Sequence, residues 1–466
     1  MPIISLLIFS ILLIFNIMKI KKSKILNWSR TKSYYGSVAY PKNYKDLEKI
    51  IKSAESNEPI AFRAGGNSFG DCCLNDNGKL IDLRYLNKIL NFNEKEKSLL
   101  VQCGTTMENL LNFIIPKGYY VNSVPGTDKA TVGGCINSNV HGKDAHFYGV
   151  FANNVVGLKV MNSNGEILFL DRKDENFYHA IGSFGLTYLI LEAKLKVTKI
   201  TSSILEVNTI KFLNYDKMLE LFEKYQNQKH QMMGAWINHF DTNGSGIFMT
   251  AKWSEQNEIK FKKINLLSNI NKKIMVVIFS VAKRLFGYRL IIKTINYFFY
   301  IFAKEKKQYL HFSDFYFPQA KVLHDFSRFF PGGLINMQIL IPKNIAQKLI
   351  KIISNLCMKY KMESWWCGVK KHKYDNFNLV FGLDGYCIAL QWPKKFLKKK
   401  DFNNFYSELI ELIIKHNCLI YLIQDILLNK DHFTKIYKDH KKFYDIKMKT
   451  DPKMVFKNNL YNRLFN

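Results

Sequence analysis

The residues in this chain best suited to chemistry are glycine-centred turns. The first is Arg63-Ala64-Gly65-Gly66-Asn67-Ser68-Phe69-Gly70-Asp71, directly after the apolar run Ile60-Ala61-Phe62. Paired glycines let successive backbone N–H groups turn towards an anion at close range, which suits a pyrophosphate. Three more turns follow: Pro125-Gly126-Thr127 with Thr131-Val132-Gly133-Gly134, then Asn139-Val140-His141-Gly142-Lys143, then Gly182-Ser183-Phe184-Gly185-Leu186-Thr187. A single glycine pair is most often a plain turn, but four in this order make a joint signal. Further along, Lys370, Lys371 and His372 follow an apolar run. They read either as a phosphate-binding or proton-accepting group or as a solvated basic loop. The chain has no G-x-G-x-x-G, no P-loop, no H-E-x-x-H and no nucleic-acid-binding signature, so a nucleic-acid partner is not expected. Its eight cysteines lack C-x-x-C or zinc-like spacing. No metal centre is therefore expected, and scattered thiols in apolar runs suit a reducing compartment.

Strands and helices must hold these turns. In the first zone, Ile81-Asp82-Leu83, Leu99-Leu100-Val101 and Gly157-Leu158-Lys159-Val160-Met161 read as strands, and residues 43–56 and 107–115 as helices. In the second zone, residues 336–341 and 380–392 read as strands, and 345–360 and 402–416 as amphipathic helices. The third zone opens on a strand-like run, Leu419-Ile420-Tyr421-Leu422-Ile423, and continues with a charged helix and a turn at Asp451-Pro452. The pattern predicts an α+β class.

A chain of 466 residues has room for two or three domains and needs no disulfide staples. Its 68 Lys and Arg against 38 Asp and Glu leave a net charge of +30. That balance attracts polyanions, whether nucleic acid, anionic lipid or phosphorylated substrates; the alternative is drift towards a composition rich in Ile, Lys and Asn. Residues 1–18 are almost wholly apolar and are followed by Lys19, Lys21, Lys22 and Lys24. The run is near the short limit for a spanning helix and lacks a small-residue cleavage site. Residues 1–20 read as an uncleaved membrane anchor or an interfacial helix, with the basic flank and the rest of the chain on the cytoplasmic face. Residues 272–307 interleave Lys and Arg with Ile, Val and Phe. They read as a membrane-contacting segment or as a buried helical hairpin.

The order R-x-G-G-x-S-x-G-D, P-G-T, T-V-G-G, N-x-H-G-K and G-x-x-G-L-T resembles the FAD-binding domain of the vanillyl-alcohol oxidase (PCMH-type) superfamily. Within it, the chain is most similar to the decaprenylphosphoryl-β-D-ribose 2′-oxidase group. Trp28-Ser29-Arg30-Thr31, Asn336-Met337-Gln338-Ile339-Leu340-Ile341-Pro342, Tyr386-Cys387-Ile388 and Asp451-Pro452-Lys453-Met454-Val455-Phe456 add to the likeness. The resemblance implies a two-subdomain FAD-binding domain over residues 24–201. A separate α+β substrate domain with an antiparallel sheet would span 202–418, and a C-terminal return to the FAD domain 419–466.

By the same resemblance, Arg63, Ala64, Gly65, Gly66, Asn67, Ser68, Phe69, Gly70 and Asp71 would hold the FAD pyrophosphate. Gly126, Thr127, Thr131, Val132, Gly133, Gly134, Asn139, Val140, His141, Gly142, Ile190 and Tyr421 would contact the rest of the cofactor. Relatives with covalent flavin carry a histidine at the place of Asn67, so non-covalent FAD is expected, with His141 hydrogen-bonding near the flavin. Gln424, Lys370, Lys371, Cys387 and Gln338 are the candidate catalytic and substrate-side residues. Two departures stand out. The resembled oxidases have a tyrosine at the place of Phe69 and a lysine at that of Gln424, and glutamine can hydrogen-bond a sugar hydroxyl but cannot act as a base.

The implied reaction is hydride transfer from the 2′-hydroxyl carbon of a polyprenylphosphoryl pentose to flavin N5. A separate NAD(P)H-dependent short-chain reductase would complete an epimerisation, with quinone or oxygen as electron acceptor. A free sugar, alditol or aldonolactone is the alternative substrate. A third possibility is a membrane-bound polyanion-binding protein whose flavin is structural or absent.

Overall fold

The computed structural model describes residues 19–227, 232–255, 287–317, 326–330, 332–379 and 381–466. The apolar run 1–18, residues 272–286 of the basic and apolar segment, and Val380 lie outside the described residues. Among the described residues, no helix is long and apolar enough to cross a membrane.

Three sheets carry the fold. A four-stranded sheet runs in the order Lys19–Leu26, Ser33–Tyr40, Lys79–Asp82, Ile60–Arg63. Its first pair is antiparallel and its other pairs are parallel. The basic run at 19–24, expected as the flank of an anchor, is a strand paired along its length with Ser33–Tyr40. A five-stranded antiparallel sheet has the order Ile89–Asn93, Ser98–Gln102, Leu189–Lys196, Val155–Met161, Ile167–Asp171. The third sheet has eight antiparallel strands, ordered Lys306–His311, Ile204–Phe212, Gly246–Trp253, Met232–Ile237, Cys367–His372, Gly385–Pro393, Leu334–Pro342, Leu419–Ile420. Helices Tyr215–Tyr225, Ala346–Lys359 and Phe402–Lys415 form a packed layer against this sheet. The mixture of helices with mainly antiparallel sheets is the expected α+β class.

Local sequence explains the elements near the turns. Asn43 caps helix Tyr44–Lys52 by accepting from the Asp46 N–H, and Leu47, Ile50 and Ile51 supply its buried face. This helix ends four residues before the expected 56, where the Ala54 N–H turns to the Ile51 carbonyl and the Ser53 hydroxyl takes the Ile50 carbonyl. Thr106 caps Met107–Ile114 in the same way, burying Met107, Leu110, Leu111 and Ile114. In the tail, only Leu419–Ile420 pair as a strand. The N–H groups of Gln424 and Asp425 instead donate to the carbonyls of Tyr421 and Leu422, so the chain turns there. The expected single charged helix is two, Lys430–Ile436 and His440–Thr450, with a third, Asn459–Leu464, after Asp451-Pro452. Lys370, Lys371 and His372 lie in strand Cys367–His372, not in a loop.

The tail lies against the first glycine turn. The Ile60 N–H donates to the Val455 carbonyl at 2.7 Å and the Gly70 N–H to the Ile423 carbonyl at 2.9 Å. Arg463, partly buried, donates to both Asp71 and Asp425. Lys447, fully buried, donates to Asp451 and to the carbonyls of Leu186 and Phe456.

Candidate active site

One cavity gathers the glycine turns. It has about 310 Å³ open to water, within the range of small-molecule sites. Strand Ile60–Arg63 feeds directly into it, and the backbone leaves the carboxyl end of that parallel strand through Gly65 and Gly66. Gly66 has φ +62°, a left-handed conformation that glycine adopts without strain. Among the described residues, the backbone N–H groups of Gly65 to Phe69 find no protein acceptor. Five consecutive unpaired donors bordering a cavity make a cradle for an anion. Across from them, a Cβ on Gly126 would meet nothing within 4 Å, so its bareness serves the cavity and not the packing.

The expected cofactor residues separate into two groups. Arg63 to Phe69, Gly126, Thr127, Thr131, Gly133, Gly134, Val140, His141, Ile190 and Tyr421 line the cavity. Gly70, Asp71, Val132, Asn139 and Gly142 do not. Gly70 packs on the Ile423 carbonyl, Asp71 is held by Arg463, and Gly142 fits closely against Ser123 and Asp144. Val132 is buried in the core as the first residue of helix Val132–Asn137, which Thr131 caps by accepting from the Gly134 N–H. The Asn67 amide nitrogen donates to the Gly65 carbonyl at 3.0 Å and the Lys129 carbonyl at 2.7 Å. It ties the first turn to the second.

The eight-stranded sheet closes the other end. Alternate residues of a strand face opposite ways. Asn336 and Gln338 therefore share a face of Leu334–Pro342 and both reach the cavity, joined by Gln391 and Lys370 from the neighbouring strands. The same alternation divides the lysine pair. Lys370 borders the cavity, whereas Lys371 points to the helix side and donates to Glu223 and Gln226, each at 2.5 Å. Cys387 pairs in register with Lys370 and lies behind Gln338, its sulfur 3.7 Å from the Gln338 carbonyl oxygen. Gln424 reaches the cavity from the tail turn and accepts from Asn336 at 3.0 Å. His141 Nε2 meets Gln338 Oε1 at 3.0 Å.

The electrostatics of this end are set by enclosure. Burial pushes the Lys370 amine below the usual lysine range, with Cys387 and Asp144 pulling the other way. Burial, Lys370 and His372 hold His141 well below the usual histidine range, so its ring is neutral. The Cys387 thiol is pushed up to about 12 by burial. His141, His372 and Cys387 bring ligating atoms within 4.8 Å of one another.

Trp28, Phe184, Phe326, Asn336 and Gln391 also line the cavity, and sequence reasoning had not marked them as site residues. For Asn336 a signal was present: polar residues at alternate positions in the apolar strand Leu-Ile-Asn-Met-Gln-Ile-Leu-Ile-Pro. Gln391 is a lone polar residue in the apolar run Tyr386-Cys387-Ile388-Ala389-Leu390-Gln391-Trp392, and its side chain also accepts from Trp365 Nε1.

The chain matches the family described as FAD binding domain over residues 36–171. It is similar to decaprenylphosphoryl-beta-D-ribose oxidase of Mycolicibacterium smegmatis, 30% identical over 180 residues, covering 38% of this chain and 39% of that protein. It is also similar to D-arabinono-1,4-lactone oxidase of Candida glabrata, 29% identical over 182 residues, covering 36% of this chain and 34% of that protein. A mitochondrial D-lactate dehydrogenase [cytochrome] of Kluyveromyces lactis matches at 30% over 176 residues, 34% of this chain and 30% of that protein. The chain thus spans less than two-fifths of the length of each of these relatives.

Proposed function

We propose that this chain binds FAD non-covalently and oxidises a secondary alcohol of a sugar, with the 2′-hydroxyl of a polyprenylphosphoryl pentose as the favoured substrate. The observation that carries this reading is Lys370, an enclosed amine at the sheet end of a cavity whose other end is a row of unpaired N–H groups. The donors from Gly65 to Phe69 fit a pyrophosphate. FAD held there would accept the hydride from the alcohol carbon.

The alcohol proton needs its own acceptor. Burial disfavours the ammonium form of Lys370 and so raises the share of free amine that could take that proton. Gln338, Asn336, Gln391 and Gln424 offer amide groups to the remaining sugar hydroxyls. The neutral His141 ring holds Gln338 in place. The ketone product would be reduced by a separate NAD(P)H-dependent enzyme, inverting the carbon, and quinone or oxygen would serve as final electron acceptor.

A free sugar, alditol or aldonolactone is the second reading. The uncharged pair Asn336–Gln424 favours it, since neither residue attracts a phosphate, and so does the likeness to a lactone oxidase.

An anaerobic visible spectrum separates these readings. With polyprenylphosphoryl-ribose added, loss of the flavin band near about 450 nm is expected. A yellow protein bleached only by free sugars or lactones would move the substrate to the second reading. A protein that stays colourless in excess FAD would overturn both.

A further inference from the structure

Helix Tyr288–Phe302 is apolar on more than one side. Tyr288, Ile292 and Asn296, spaced four residues apart, face the protein. Leu290, Ile295, Tyr297, Phe298, Ile301 and Phe302 face outward, Phe302 with 73% and Leu290 with 56% of its surface exposed. A contiguous exposed apolar patch of this kind marks an interaction site. At 15 residues the helix is about 22 Å long, too short to cross a bilayer core of about 30 Å.

The surrounding charge indicates what covers the patch. Residues 287–307 contain Arg289, Lys293, Lys304, Lys306 and Lys307 against the single acid Glu305. Arg289 is paired with Glu363 and Lys307 with Glu206; among the described residues, Lys293, Lys304 and Lys306 make no ion pair. An aromatic face with free lysines at its side and end fits the boundary between anionic headgroups and acyl chains.

The helix is also joined to the cavity wall. Asn296 Nδ2 donates to the Trp365 carbonyl at 3.2 Å, Trp365 Nε1 donates to Gln391 Oε1 at 2.7 Å, and Gln391 lines the cavity. We infer that helix Tyr288–Phe302 lies in the plane of an anionic bilayer and sets the cavity beside the lipid surface. Delivery of a lipid-linked sugar from that surface rests on the proposed function; the docking itself does not.

All eight cysteines are buried, so a new surface cysteine can be labelled selectively. Phe302→Cys in the full chain would carry an environment-sensitive fluorophore, with Phe169→Cys, exposed on the five-stranded sheet, as control. With vesicles of phosphatidylcholine and phosphatidylglycerol, emission from position 302 should shift to the blue and be quenched by brominated lipid, while position 169 stays unchanged. Phosphatidylcholine alone should give a much smaller shift, and salt should weaken the response. Adding Phe298→Asp should weaken the anionic-vesicle response by about tenfold or more.

No shift with anionic vesicles would overturn the proposal. So would a shift that grows with protein concentration without lipid, which would assign the face to a second copy of the chain. A shift without flavin bleaching by the lipid-linked sugar would leave the docking standing and remove the substrate reading.

Discussion

His141 and Gln338, 197 residues apart in sequence, meet across the cavity at 3.0 Å and join the third glycine turn to the eight-stranded sheet. Gln338 Oε1 also lies 3.7 Å from the Cys387 sulfur, so one amide oxygen serves two buried groups. Gln338→Leu removes that oxygen and leaves both without a partner. We expect flavin to be retained and turnover to fall roughly ten- to hundredfold, the cost of an unsatisfied buried polar group. Stopped-flow bleaching with a bound-flavin absorbance control measures it.

Lys370 must be a free amine to accept the alcohol proton. Because burial lowers its pKa, the active form grows as pH rises, and flavin reduction should rise with pH and then level off. Lys370→Met should lower the rate by about 10²–10⁴-fold and abolish that rise. An unchanged pH profile in the variant would assign the proton elsewhere.

The Asn67 amide is committed to the carbonyls of Gly65 and Lys129 and offers no nucleophile. Acid precipitation of the purified protein should therefore release all the flavin into the supernatant. Yellow colour left in the pellet would contradict non-covalent binding. Asn67→His would test whether the position alone suffices for attachment.

Arg463 spans Asp71 and Asp425, both buried. Arg463→Met leaves two carboxylates facing a lost partner, which should cost about 3–5 kcal/mol of stability. Chemical denaturation measures that loss. FAD affinity should weaken in parallel, because Asp71 ends the first glycine turn and Asp425 follows Gln424.

Asp375 provides a pH test away from the cavity. Burial pushes its carboxyl up to about 7, against the pull of the Phe377 N–H. The folded protein then holds a proton that the unfolded chain has released. This contribution is full below about pH 4 and is lost as pH rises towards 7, by as much as roughly 4 kcal/mol. Asp375→Asn should raise the melting temperature at pH 8 and change it little at pH 4. Thermal scans at both values decide it.

The turns and strands of the cofactor half were legible in the sequence because glycine spacing and short apolar runs are local signals. Thr131, Gly133 and Gly134 could be placed from the motif alone. The separation of Lys370 from Lys371 could not, because it depends on which face of Cys367–His372 meets the cavity, and that is fixed by pairing with Gly385–Pro393. Gly70 and Asp71 sit in the right motif but serve the tail, since their partners Ile423 and Arg463 are more than 350 residues away. Motif spacing carries no record of such contacts. Gln424 was visible as a departure from its relatives, but its bond to Asn336 required the turn that ends strand Leu419–Ile420.

The ion pair between Asp71 and Arg463 closes a loop of 392 residues. During synthesis, the first glycine turn leaves the ribosome long before the arginine that fastens it exists. The cradle must wait, with its donors wet and its carboxylate unpaired, until the residues up to Arg463 have been made. A nascent chain that stops short of residue 463 leaves the first glycine turn without this fastening and should hold its cofactor more weakly.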